Sequence, residues 1–245
     1  ISTDSPYTGR MIYSAPIISG TGITQHLFSR SITGGTPTQL TTGNMINHAP
    51  VVSPDGEWLA FVSDRDGDLD LYIMPTTGGE ARRVLENTVN DYAPIWTPDG
   101  QRLIFSSDLY GDGSLALLEV TTDGIGTTWL LYEEMGVRAF RPRLSPDGGR
   151  LTFVRGASHD ARTWEIVVMD LTTRVVTTLT ANQVMDNWPV FSADGRWIFA
   201  VRTLEDGAEI WRLPADGIGE AALIYTTTAW VANLTISPED RKSVV

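Results

Sequence analysis

A four-residue turn recurs along the chain at a nearly constant step. Ser53-Pro54-Asp55-Gly56 returns as Thr97-Pro98-Asp99-Gly100, Ser145-Pro146-Asp147-Gly148 and Ser192-Ala193-Asp194-Gly195, and in degraded form as Ser237-Pro238-Glu239-Asp240. Their first residues lie 44 to 48 positions apart. A period of this length belongs to chains that stack copies of one supersecondary unit, because no single copy can bury its own apolar face. Within each turn the proline fixes φ near −65°, the aspartate tolerates the next position, and the glycine takes the left-handed conformation that closes a short hairpin loop.

The residues around the turn repeat as four short strands, here A to D. In the second copy they read as Ile46–Val52, Trp58–Ser63, Leu69–Met74 and Arg82–Leu85. Strand B is almost continuously apolar (Trp58-Leu59-Ala60-Phe61-Val62, Leu103-Ile104-Phe105, Trp197-Ile198-Phe199-Ala200-Val201), which predicts a strand covered on both faces rather than a half-solvated one. Four-stranded antiparallel sheets of this kind, repeated every 40–50 residues or so, pack radially as the blades of a β-propeller. No long segment carries a 3.6-residue apolar period, so helical solenoids are excluded.

The ends bear on the blade count. The first copy opens on a strand B at Arg10–Ser14, continues through C near Gln25–Ser31 and D near Pro37–Leu40, and has only polar residues where strand A belongs; Ala229–Ile236 is a strand A with little after it. The expectation is one all-β domain over 1–245 with five blades. Its units run over about 9–45, 46–88, 89–137, 138–184 and 185–228, and 229–236 completes a composite closing blade. The alternative is a six-bladed, truncated propeller, because Asp240–Val245 resembles a new strand B.

Charge and composition narrow the partners. The chain carries 30 acidic against 18 basic residues, a formal charge of −12, with no Lys/Arg-rich run, which speaks against nucleic acid and anionic membranes. It has no cysteine, hence no disulfide or thiolate site, and no apolar run near the roughly 20 residues of a membrane span, so no direct membrane insertion is expected. The start at Ile1 shows neither an initiator Met nor a signal-peptide pattern and reads as a mature or excised domain.

The unit Pro50-x-x-Ser53-Pro54-Asp55-Gly56-x-x-Leu59-x-Phe61-x-Ser63-Asp64-Arg65-Asp66-Gly67-x-x-Asp70-Leu71-Tyr72 resembles the WD-like propeller repeat of the TolB family. The resemblance covers essentially the whole chain and is weakest in the first copy, where Ser5-Pro6-Tyr7-Thr8-Gly9 replaces the turn. It implies a propeller serving as a scaffold for protein or peptide binding, extracytoplasmic (periplasmic or cell-surface), with the cytoplasm left open. The same repeat precedes some serine-peptidase domains, but no Gly-x-Ser-x-Gly elbow lies in this chain.

Candidate chemistry is sparse. Asp64, Asp66 and Asp68 alternate as in a calcium loop, yet the glycine and terminal acid of an EF-hand are missing, and an acidic B–C hairpin tip is the plainer reading. His26, His48 and His159 fall in different units, a poor match to propeller lyases that hold a metal on histidines. No cofactor and no catalytic set is expected. In a four-stranded meander the D–A and B–C connections share one face and the two other sets of turns share the opposite one. The D–A connections carry His48, Asp91, Tyr92, Arg138, Phe140, Arg141, Asp186, Trp188 and Trp230, and aromatic anchors beside Arg and Asp suit a protein or peptide partner. The competing reading packs the aromatics between blades. The expected function is a non-enzymatic protein- or peptide-binding scaffold; the alternative is a propeller that senses a small molecule or carbohydrate, and a propeller lyase or peptidase-associated domain ranks below both.

Overall fold

The computed structural model describes residues 9–20, 22–231 and 234. Its strands form five antiparallel sheets, the arrangement of a five-bladed β-propeller. The chain divides into two compact units, Ile1–Ile104 with Val120–Thr128, and Phe105–Glu119 with Trp129–Val245.

In the first unit β1 (Arg10–Ser19), β2 (Gly22–Ser31) and β3 (Gly34–Gln39) form a three-stranded sheet, and β4 (Asn47–Val52), β5 (Trp58–Ser63), β6 (Asp70–Pro75) and β7 (Arg82–Arg83) form a four-stranded one. The β1–β2 hairpin is longer than the sequence suggests. Its register runs unbroken from Arg10↔Ser31 to Ser19↔Gly22, carrying Pro16 on a strand with one hydrogen-bonded neighbour among the described residues, where a missing N–H does least harm. Leu27, Leu40, Leu59, Phe61, Tyr72 and Met74 form one buried cluster spanning both sheets.

The third sheet, β8 (Asp91–Trp96), β9 (Arg102–Ser107), β10 (Ala116–Thr121) and β11 (Thr128–Tyr132), is the one through which the division into units runs. The second unit holds β12 (Val137–Leu144), β13 (Arg150–Ala157), β14 (Glu165–Asp170) and β15 (Val176–Thr178), with a 3-10 turn at Ala161–Thr163, and then β16 (Asp186–Phe191), β17 (Trp197–Leu204), β18 (Gly207–Pro214) and β19 (Ala222–Thr227). As expected of strands covered on both faces, Leu59–Ser63 and Leu151–Val154 are buried throughout, and Phe61, Phe105 and Phe153 occupy the same fully buried site in successive B strands.

Of the expected closing strand 229–236, half lies outside the described residues, at 232, 233, 235 and 236; Ala229, Trp230 and Val231 are not in a strand. Leu234 is buried against Val201, Ala208 and Ile210 of the last sheet.

The recurrent turn is a hydrogen-bonded device. In the second copy Gly56 N–H donates to the Ser53 carbonyl (2.9 Å) with Gly56 at φ +78°, and Trp58 N–H donates to Ser53 Oγ (2.9 Å). The Ser53 hydroxyl donates to Asp55 Oδ1, which also accepts Glu57 N–H (3.0 Å). Thr97/Asp99, Ser145/Asp147 and Ser192/Asp194 repeat the pattern. The hydroxyl first, then the backbone N–H, holds each of these carboxyls below the ordinary aspartate value of 3.8. A carboxyl more acidic folded than unfolded adds stability that is present above the unfolded pKa and lost as pH falls through the folded one. The urea midpoint should therefore drop as pH falls below about 5 and go on dropping through the lowered folded pKa values, and Asp147→Asn should show a lower midpoint at neutral pH and a shallower acid decline. Parallel declines in the two proteins would contradict this assignment.

Candidate functional site

The connections expected to share a face do so within each unit. In the first, Asp64 N–H donates to the Ile46 carbonyl (3.3 Å), Ile46 N–H to Asp64 Oδ1 (2.7 Å), and Asp91 N–H to the Leu69 carbonyl (2.6 Å). In the second, Asp186 N–H donates to the Trp164 carbonyl (3.0 Å), and Leu115 accepts from Ala139 N–H (2.8 Å) while donating to the Val137 carbonyl (3.1 Å). B–C loops and the entries to A strands are thus laced together.

The A strands themselves are bulged, which the turn pattern did not reveal. Between His48 and Val51 the strand advances three residues while its partner advances two, from Val62 to Ala60; the same slip separates Phe140 from Arg143 and Asn187 from Val190. One extra residue per strand is the signature of a β-bulge. It stands in the left-handed region in these three copies, at Ala49 (φ 50°), Arg141 (φ 55°) and Trp188 (φ 53°), and Ala93 (φ 49°) takes the same conformation at the equivalent place in β8, each followed by a proline. That conformation costs a side-chain-bearing residue about 1–3 kcal/mol, so it persists only where the surrounding structure enforces it.

In the first unit the bulge residues are alanines, and the functional groups lie beside them. Asn47 is fully buried, donating to the Gln25 carbonyl (3.1 Å) and accepting from Arg65 (3.1 Å), whose guanidinium lies 4.2 Å from the Tyr72 ring centroid. Burial pushes the His48 imidazole pKa down, with the Asp64 carboxylate pulling the other way. Tyr92 is half-buried. Asp91 is wholly buried and accepts from Asn87 (2.8 Å), which itself accepts Val89 N–H (3.1 Å).

The carboxylates read as a calcium loop are engaged differently. Asp64 caps Ile46, Asp66 accepts the Tyr72 hydroxyl, and Asp68 keeps one buried oxygen without a partner. Among the described residues no three His, Asp or Glu side chains gather as a metal set.

In the second unit the bulge residues are Arg141 and Trp188, and they meet. The Arg141 guanidinium lies 3.7 Å from the Trp188 ring centroid and donates to Asn187 Oδ1. It also lies 5.1 Å from Phe140, which packs edge-on against Trp164 at 4.8 Å and faces Arg138 at 5.7 Å. Burial first, then the charges of Arg143 and Arg138, lowers the Arg141 pKa to about 10. Asp186 is buried and internally spent, pairing with Arg202 (2.9 and 3.3 Å) and accepting from Asn182 (2.7 Å). Asp91 and Asp186 are therefore matching braces of the D–A loops, and neither presents its carboxylate to solvent. Trp230 is 76% exposed.

The sequence reading placed Arg138, Phe140, Arg141 and Trp188 on one face, and the structure brings them together. Asn187 stands on the same D–A connection as Trp188, and Arg143 and Trp164 were passed over. The Arg138-x-x-Arg141-x-Arg143 spacing was a visible signal only to a reader who knew that the strand is bulged.

Residues 12–165, more than half of the chain, match the model of the Tricorn protease N-terminal beta propeller domain. The chain belongs to that family. Among solved structures, this Tricorn-type propeller resembles TolB from Acinetobacter baumannii with a TM-score of 0.68 and 24% identity over 83% of this chain and 49% of that one. The putative TolB from Agrobacterium tumefaciens gives 0.68 and 22% over 89% and 81%, and a puromycin hydrolase 0.68 and 19% over 92% and 40%. The chain thus spans about half the length of the A. baumannii protein. These likenesses are of fold, and they join a TolB-type propeller to one that forms part of a hydrolase. No helix among the described residues is long and apolar enough to cross a membrane.

Proposed function

We propose that this propeller is a non-enzymatic, extracytoplasmic binding module that takes a protein or peptide on the D–A/B–C loop face of its second unit. One observation carries the reading: the strained bulge that holds alanine at 49 and 93 holds Arg141 and Trp188 here, stacked 3.7 Å apart. A structural need alone is met by alanine, as the first unit demonstrates, so two large side chains at that position answer to something else. Arg and Trp are also the residues that most often dominate binding energy at protein interfaces. Trp230 adds exposed aromatic surface. His48, Asp91 and Tyr92 belong to the corresponding face of the first unit, Asp91 as a brace.

The test is capture of a partner from an extract of the source cells by the immobilised chain. Arg141→Ala and Trp188→Ala should each weaken capture about tenfold or more, since such anchors cost roughly 2 kcal/mol on truncation. Ile218→Ala, an exposed residue on a C–D turn, should leave it unchanged. Undiminished capture by both face variants would remove this face from consideration.

A further inference from the structure

The guanidiniums of the second unit have a feature that docking in general does not explain. Arg138, Arg141 and Arg143 stand within six residues of a chain whose formal charge is −12. Among the described residues no carboxylate forms an ion pair with any of them, although Arg83, Arg155, Arg162, Arg196 and Arg202 are all so paired. Buried or half-buried charge normally finds a partner, because leaving it unpaired costs several kcal/mol. Instead, Arg143 donates to the Pro142 carbonyl (2.9 Å) and Arg141 to the neutral Asn187 amide.

Two buried donors nearby have no acceptor at all: Arg138 Nε and the indole Nε1 of Trp164. Both side chains flank Phe140. Unsatisfied buried N–H groups are rare in folded proteins and call for an explanation. Here they are N–H donors set among three cations, a combination that suits an anionic acceptor.

The bulge supplies the alignment. Arg138 pairs with Gly156, Phe140 with Val154 and Arg143 with Thr152, alternate residues of β13, so all three project from one face of the strand; without the extra residue Arg143 would project from the other. Along β13 those partners span about 13 Å. That backbone run accommodates three alternate, same-side residues of an extended segment, spaced about 6.6 Å apart.

Resting on the loop-face reading and deepening it, we infer that the second unit recognises an acidic peptide segment of its partner, whose Asp or Glu carboxylates are received at the loop face by Arg138, Arg141 and the Trp164 indole N–H and, where the segment runs along β12 toward the A–B turn, by Arg143, with Phe140 and Trp188 as the apolar floor. The low Arg141 pKa fits this assignment, since an incoming carboxylate relieves the repulsion from the two flanking guanidiniums.

The experiment uses the chain as it stands and a hexaglutamate peptide, acetylated and amidated at its ends so that only side-chain carboxylates are offered, titrated by calorimetry at low salt. Expected is one-to-one binding that weakens with added salt, by about tenfold in Arg141→Ala and in Arg138→Gln, and not at all in Arg162→Gln, an exposed arginine of the same unit already paired with Asp160. Ala49 and Ala93 show that alanine is accommodated in the bulge, and Arg138→Gln, outside it, gives an independent reading. No binding of hexaglutamate at millimolar concentration overturns the inference. So does an affinity indifferent to Arg138 and Arg141, or one lost equally in Arg162→Gln. Inorganic phosphate bound in an Arg141-dependent way while hexaglutamate is not would assign a phosphoryl ligand instead. If partner capture still depends on Trp188 while hexaglutamate fails to bind, the loop face stands and the acidic specificity falls; if capture ignores Trp188 and Arg141 alike, the loop face itself falls.

Discussion

Phe153→Ala should lower the unfolding free energy by about 3–5 kcal/mol, the range for deleting an aromatic ring from a closed core. Phe153 is fully buried in the centre of β13, with the Tyr132 ring 5.0 Å away on one side and fully buried Val154 and Val167 among its strand neighbours. The backbone on both sides is tied into a ladder that cannot close over the hole, so most of the cavity term survives. Phe61 and Phe105 hold the same place in their own sheets, and the loss measures what one repeat of the core contributes. Urea denaturation followed by tryptophan fluorescence reads it directly. A loss under about 1.5 kcal/mol would mean that the site collapses and that the strands are not rigidly covered.

Gly207→Ala should be comparably damaging for a different reason, costing at least about 3 kcal/mol. Gly207 opens β18 opposite Leu204 at φ +134°, and a Cβ placed there would lie 2.0 Å from the Thr227 carbonyl oxygen and 2.8 Å from Thr228 Cα. Those are backbone atoms, unable to swing aside. Gly67 is the control. It has φ +113° in a B–C loop with nothing within 4 Å of a would-be Cβ, so Gly67→Ala carries the backbone strain alone, about 1–2 kcal/mol. Calorimetric melting of both variants separates clash from strain. Equal losses would show that the β17–β18 tip yields and that the close approach to Thr227 is unimportant.

The fold was legible because its marker is local. A Ser/Thr-Pro/Ala-Asp-Gly turn closes its own hydrogen bonds within six residues, as Ser53 to Trp58 shows, so it reads the same in sequence and in space, and its period carries the strand order. Apolar runs such as Leu59–Val62 likewise announce burial on both faces. The site was only half legible. Pro50, Pro94, Pro142 and Pro189 each precede the turn by three residues, a regularity as strict as the turn itself. Its meaning is tertiary: the residue before each proline is forced into the left-handed region by strand pairing, and nothing in local propensity announces that, since the position before proline favours extended backbone. Asp91 and Asp186 were read as binding groups because their braces, Asn87 and Asn182, lie four residues away in loops whose path the sequence does not specify. Arg143 and Trp164 were passed over for the same reason: only the bulge aligns Arg143 with Arg138, and only the path of the B–C loop puts Trp164 against Phe140.

The central claim, that the bulged A strands of the second unit present the binding face, is tested most directly by photo-crosslinking. A benzophenone amino acid in place of Trp188 or of Trp230 should each give a covalent adduct with the captured partner, and the same group in place of Ile218, 77% exposed on a C–D turn, should give none. Adducts from position 218 with none from 188 would place the partner on the turn face and contradict the account.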